Sequence, residues 1–169
     1  MNPVATDFTD PRFTAIGLFS EAFIGLTSRF AAQFDQHRLS TVEFEVLMRL
    51  ARSPQNRLRM TDLAGQTSLS TSGVTRVVDR MDRGGLIRRE ACPSDRRSSF
   101  AVITEAGLAR LDEVLPGHLE LVQRWFIDQL EPARLEQMLE SLRIIRDAVN
   151  PCATAGVGEE QEPPELRAS

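Results

Sequence analysis

Six side chains between residues 71 and 83 carry the densest hydrogen-bonding chemistry in the chain: Thr71, Ser72, Thr75, Arg76, Arg80 and Arg83. The first of them are small and hydroxylic, and the later ones are arginines. Short residues together with Gly73 let a helix approach another surface closely, while guanidinium groups reach base edges or phosphates, so this pattern suits a DNA major groove. A second cluster, Asp95-Arg96-Arg97, follows a Cys-Pro-Ser stretch. Arginines on such a turn suit phosphate or a narrow minor groove, and Asp95 can hold one of them through a charge-assisted bond. No catalytic constellation competes with this reading. The sequence has no Gly-rich phosphate loop, no Gly-x-Ser-x-Gly elbow and no metal-binding cluster, so neither an enzymatic activity, a metal nor a cofactor is implied. His37 and His118 are isolated and read as helix-end or surface residues.

The stretch from Thr61 to Gly85 positions the first cluster. It reads as two short helices with a tight turn between them. Thr61 is placed to cap the first helix, Ser68 to Ser70 interrupts it, and Ser70 caps the second by accepting an otherwise unpaired backbone N–H. In that second helix Val74, Val77, Val78 and Met81 recur at helical spacing and should face the core. Gly84 and Gly85 end it, because glycine takes a left-handed C-terminal position without penalty. Two strand candidates follow, residues 86–91 and 98–103, joined by the turn residues 92–97. Helix-turn-helix followed by such a hairpin is a winged-helix arrangement. The candidate DNA-contacting residues are therefore Thr61, Ser70, Thr71, Ser72, Thr75, Arg76, Arg80, Arg96 and Arg97, with Asp95 supporting the wing.

The run from Ser70 to Arg83, the following Gly-Gly-Leu-Ile-Arg-Arg, Asp95-Arg96-Arg97 and Ile103-Thr104-Glu105-Ala106-Gly107 resemble the MarR family of bacterial transcriptional regulators. That family's wing signature has Asp, any residue, Arg, and then a Leu-Thr pair that opens the next helix. Asp95, Arg97 and Ile103-Thr104 occupy those places, with Ile for Leu the departure. The resemblance extends over roughly Ser40 to Asn150. It implies a homodimer with one winged-helix lobe per subunit, acting on a pseudo-palindromic operator in double-stranded DNA as a repressor that answers to a small molecule. It also implies an effector cleft, whose walls here would come from Phe19, Phe23, Phe44, Met48 and Trp125. Oxidant-sensing relatives carry a cysteine in the first helix, and this chain has none there. Cys92 and Cys152, each beside a proline, are therefore read as dispensable for DNA binding. The alternative function is a winged-helix module that binds another protein without DNA. Basic residues on both the helix and the wing favour DNA.

Charge distribution points the same way. The net charge is −4, yet between Arg49 and Phe100 eleven arginines stand against five acids. A basic central lobe between acidic flanks is the footprint of a protein that meets nucleic acid on one face. All 20 basic residues are arginine, which reads as a coding bias and carries no mechanism. Two distant cysteines offer no disulfide framework and suit a reducing cytoplasm. The apolar stretch from Phe13 to Phe34 is interrupted by Glu21, Ser28 and Arg29, which argues against a signal peptide or membrane span.

A chain of 169 residues is long enough for one sizeable core. Its expected fold is mainly α with a small β-hairpin wing. Residues 1–11 form an arm and residues 12–150 a single domain, with a DNA-binding lobe at about 40–104 and dimerisation helices at about 12–36 and 105–150. Residues 151–169, rich in Glu, Pro, Ala and Gly, form a disordered tail. In the first helix Ile16, Phe19, Phe23, Leu26, Phe30 and Phe34 make a wide apolar stripe suited to a subunit interface. Ser40-Thr-Val-Glu43 is a capping box opening a helix that stops before Pro54. Arg57-Leu58-Arg59 is a minimal strand pairing with the wing. Thr104 caps a helix that is kinked at Pro116 and continues to Leu130. Glu131-Pro132 starts the last stripe, which runs from Leu135 to Val149.

Overall fold

The computed structural model describes residues 8–67, 69–92 and 95–150, and of residues 95–97 the backbone alone. The arm before residue 8, Ser68, the tail after residue 150 with Cys152, and the side chains of Asp95, Arg96 and Arg97 lie outside what is described. Six α-helices and three strands follow one another along the described chain: α1 (Pro11–Gln36), α2 (Thr41–Ala51), β1 (Arg57–Arg59), α3 (Met60–Gln66), α4 (Thr71–Arg83), β2 (Ile87–Cys92), β3 (Asp95–Ile103), α5 (Glu105–Trp125) and α6 (Pro132–Val149). The fold is thus mainly helical with a three-stranded antiparallel wing, in the order β1-β3-β2.

Local capping chemistry sets most of these boundaries. The Ser40 hydroxyl accepts from the Glu43 amide at 3.3 Å while the Glu43 carboxylate accepts from the Ser40 amide at 2.9 Å, completing the capping box of α2. Ser70 caps α4 by accepting from Gly73 N at 3.1 Å, and Gly85 leaves that helix at φ +73°. A 3-10 turn at Pro54–Asn56 leads into β1, with Gln55 and Asn56 at positive φ. β1 pairs with β3 as Leu58 opposite Ala101.

Three boundaries differ from the sequence reading. Thr61 does not cap α3. The helix begins at Met60 directly from Arg59, the last residue of β1, and no side chain caps it. Pairing of Arg59 with Phe100 already pins the backbone there, so the chain turns into the helix one residue before Thr61. Strand β3 begins at Asp95, so Arg96 and Arg97 belong to the strand and not to the turn. Between Ala91, opposite Ser99, and Cys92, opposite Asp95, the register shifts. Residues 96–98 therefore face a single step of β2, a bulge of the kind that re-aims a strand. Lastly, α5 runs unbroken through Pro116 but stops at Trp125. Phe126 leaves helical geometry, and a short 3-10 turn at Ile127–Gln129 precedes Leu130.

The core lies between α2, α3, α4, the sheet and the facing parts of α1 and α5. Phe34, Leu47, Leu50, Leu63, Val74, Val78, Met81, Ile87 and Val114 are fully buried within it. α1 contributes its C-terminal end alone. Phe13, Ile16, Phe19 and Phe23 remain 52% or more exposed, because the lobe reaches only the last turns of that helix. α6 buries no residue.

Two core details connect α5 to the rest. The Thr104 hydroxyl donates to Gly85 O at 2.7 Å and accepts from Gly107 N at 3.1 Å, so one side chain caps α5 and anchors the turn after α4. Beside it a Cβ on Gly107 would collide with the carbonyl oxygen of Leu86 and stand 2.7 Å from Cγ1 of Ile103. His118, expected at the surface, instead packs its ring against Phe30, Phe34 and Phe44 at centroid distances of 4.8, 5.0 and 4.8 Å. It lies on the same apolar stripe as Leu111, Leu115 and Val122, which carries it inward. Burial pushes its pKa down, and its Nδ1 is buried without a hydrogen-bond partner.

Gly107→Ala should lower stability by about 1–3 kcal/mol, the usual cost of forcing a methyl group into a packed site, measured by urea unfolding. The folded chain also holds fewer protons on His118 than the unfolded chain. Stability from this group is therefore complete above the ordinary histidine range and declines as pH falls through it. His118→Phe should flatten the decline in the urea midpoint between about pH 7.5 and 5.5 relative to wild type.

Candidate nucleic-acid interface

Helix α4 has two unlike faces. Val74, Val78 and Met81 are buried and Val77 packs against them, while Thr71, Ser72, Arg76, Arg80 and Arg83 are exposed. Ser72, Arg76 and Arg80, four residues apart, form one row along the helix. Arg76 Nε donates to Ser72 O at 3.3 Å and Arg83 Nε to Asp79 O at 3.2 Å, each reaching the carbonyl one turn back. Thr75 is half-buried, and its hydroxyl donates to Thr71 O at 2.8 Å. Ser70 is engaged as the cap. Thr61 is exposed on α3 with its hydroxyl donating to Asp62 Oδ1 at 3.2 Å.

Two carboxylates organise this surface, and neither was legible as part of it. Asp79 Oδ1 accepts from Arg89 of β2 at 2.7 Å and so ties the wing to α4. Glu43 Oε1 accepts from Arg80 Nε at 2.8 Å, across 37 positions of sequence. Sequence reasoning found Glu43 through its local role in the capping box; the reach to α4 has no sequence signal. Burial by itself would raise the Glu43 pKa, but hydrogen bonds from the Ser40 hydroxyl and amide, and from Arg80, outweigh burial and hold it below the usual glutamate value. The carboxylate therefore stays ionised at neutral pH. On the sheet, the guanidinium groups of Arg57 and Arg59 lie 4.8 and 5.4 Å from the centre of the Phe100 ring.

Behind the lobe lies a cavity of about 520 Å³ bounded by α1, α2 and α5, with Phe23, Thr27, Phe30, Phe34, Phe44, Met48 and His118 in its lining and Arg49 and Arg52 among its polar members. Of the five residues expected to wall an effector cleft, Phe23, Phe44 and Met48 line it. Phe19 lies further up the exposed part of α1, outside the lining. Trp125 is held elsewhere, under the guanidinium of Arg29 at 3.9 Å. His118 was missed because an isolated histidine carries no motif, although its place on the α5 stripe was a usable signal. Among the described residues no helix is long and apolar enough to cross a membrane.

Comparison with known proteins agrees with this architecture. The MarR family model matches residues 39–99. An HTH-type transcriptional regulator of Bacillus subtilis, YkoM, is 30% identical over 127 residues, covering 75% of this chain and 80% of the relative. The crystal structure of AbsC, a MarR family transcriptional regulator from Streptomyces coelicolor, superposes with a TM-score of 0.79 at 35% identity, covering 86% of this chain and 98% of that one. Sco3205 from the same organism, a MarR family transcriptional regulator solved in complex with DNA, gives a TM-score of 0.79 at 31% identity, over 89% of this chain and 94% of that one. With its capped α4, its β2–β3 wing and Thr104 at the head of α5, the chain belongs to the MarR family of transcriptional regulators.

Proposed function

We propose that this regulator binds a pseudo-palindromic operator in double-stranded DNA as a homodimer and represses transcription until a small molecule enters the cavity beside α2. The observation that carries this reading is the face of α4: a hydroxylic first turn and a row of exposed arginines on a lobe with a surplus of positive charge, backed by a fully apolar opposite face. Thr71, Ser72 and Arg76 lie where a recognition helix meets base edges, while Thr61, Arg80, Arg96 and Arg97 lie where phosphate or the adjoining minor groove runs past. Asp95 supports the wing arginines. That the 31% identical Sco3205 was solved in complex with DNA supports DNA binding.

Uncovered apolar surface supports the dimer. Phe13, Ile16, Phe19 and Phe23 on α1, Leu119 on α5 and Ile144 and Ile145 on α6 are all more than half exposed, and so many uncovered large apolar side chains on the outer helices suit an association surface. The cavity supports ligand response, since about 520 Å³ of mostly apolar space with a few polar groups is the size and character of a small-molecule site.

Sedimentation at micromolar concentration should therefore give about twice the 18.9 kDa chain mass; a clean monomer would refute the assembly. Selection from a random DNA pool should yield a two-fold-related sequence. On that duplex Arg76→Ala should narrow the gap between selected and scrambled DNA, by about 1–3 kcal/mol if the arginine binds its base in bidentate fashion. Arg97→Ala should weaken both and reduce the slope of log affinity against log salt by about one for each phosphate left unneutralised. Fluorescence anisotropy at several salt concentrations measures all of these. Salt-independent binding to every duplex would refute the DNA reading.

A further inference from the structure

The exposed arginines of α4 are held in two different ways. Arg76 and Arg83 lie back along their own helix, each on the carbonyl four residues earlier. Arg80 stands in the same row as Arg76, yet its Nε donates to another helix, to Glu43 Oε1 at 2.8 Å. The second oxygen of Glu43 is engaged as well: Oε2 accepts from the Ser40 amide at 2.9 Å and the Ser40 hydroxyl at 2.7 Å. A carboxylate tied at both oxygens and only 15% exposed is a fixed point, whereas the Arg80 side chain it holds is 54% exposed. The bond to Glu43 engages Nε, and the largely exposed side chain keeps its terminal amines within reach of another partner.

We propose that Glu43 is the positioning residue for a phosphate contact made by Arg80, presenting the guanidinium pre-oriented beside the groove that α4 enters. The inference rests on the DNA-binding reading above. Arg80 lies beyond the first turns of α4, where a recognition helix leaves the base edges and passes the backbone. An arginine free in solution loses rotamer freedom when DNA immobilises it, which weakens binding roughly two- to tenfold per side chain. Glu43 removes much of that loss because it orders Arg80 beforehand. The same carboxylate completes the cap of α2, so the direction of Arg80 is registered to the start of the helix that carries Phe44 and Met48 into the cavity.

The test separates the two roles of Glu43. Glu43→Gln retains a side-chain acceptor at the position where a capping box takes either Glu or Gln, but a neutral amide grips a guanidinium weakly. Arg80→Lys retains the charge and leaves the cap untouched, yet has no Nε to hold. Binding is read by anisotropy on a duplex selected by wild type from a random pool and on a scrambled duplex, over a range of salt. Glu43→Gln and Arg80→Lys should each bind both duplexes about two- to tenfold more weakly, with salt slope and thermal midpoint close to wild type. Arg80→Ala should be weaker still, with the slope reduced by about one unit per subunit. Adding Glu43→Gln to Arg80→Ala should change nothing further. Wild-type or tighter binding by Glu43→Gln, or by Arg80→Lys, overturns the proposal. So does an equal loss from Glu43→Gln in the Arg80→Ala background, since the carboxylate would then act through the lobe and not through Arg80. If wild type binds no duplex in a salt-dependent way, the DNA reading falls and this inference with it; if wild type binds and the variants match it, the inference alone falls.

Discussion

Burial of one apolar stripe on α4 governs the rest of the structure. Val74 and Val78 have no exposed surface and Met81 has 1%, and burying a side chain of this kind stabilises the fold by about 1.5–3 kcal/mol. The polar contacts on the opposite face, Arg80 with Glu43 and Arg89 with Asp79, involve partly exposed side chains, for which about 0–1 kcal/mol each is the usual scale. Apolar burial therefore sets the rotation of α4 about its axis. The arginine row faces outward as a consequence, and the ion pairs only choose among rotamers already on that face.

Once α4 is seated, a few hydrogen bonds bind its neighbours to it. Arg89 joins β2 to Asp79 at 2.7 Å, and Thr104 joins the end of α4 to the start of α5 through Gly85 O and Gly107 N. Gly107 is needed because the backbone at Leu86 passes where a Cβ would sit. Recognition helix, wing and first turn of α5 thus form one unit, in which the wing cannot tilt without disturbing a helix cap. Such coupling suits the two-part DNA contact proposed above.

The outer helices follow a different logic. α6 spans 18 residues without burying one, and an isolated helix of that length is only marginally stable in water. The upper half of α1 is similarly uncovered, although Phe30 and Phe34 at its other end pack with Phe44 and His118. Two conditions meet on α1, one end closing the cavity and the other leaving its apolar side chains uncovered. α2 is divided in the same way, since Phe44 lines the cavity while the adjacent Glu43 holds Arg80.

What the sequence determined alone are the features decided within about four residues. The Ser40–Glu43 box, the Ser70 and Thr104 caps, the exit at Gly85 and the α4 stripe were all legible, because a cap or a helical period depends on close neighbours in the chain. So was the family, whose signature residues are themselves caps, turns and wing positions. Tertiary structure decided whatever depends on a partner distant in sequence. α3 begins before Thr61 because the β1–β3 ladder pins Arg59. Arg96 and Arg97 join a strand because β3 already starts at Asp95, opposite Cys92, and the bulge that follows carries them. His118 turns inward because three phenylalanines from two other helices surround it, and Trp125 lies under Arg29, outside the cavity lining. Glu43 shows the division within one side chain: the oxygen that answers to Ser40, three residues away, was readable, and the oxygen that answers to Arg80 was not, since only packing of α2 against α4 brings them together.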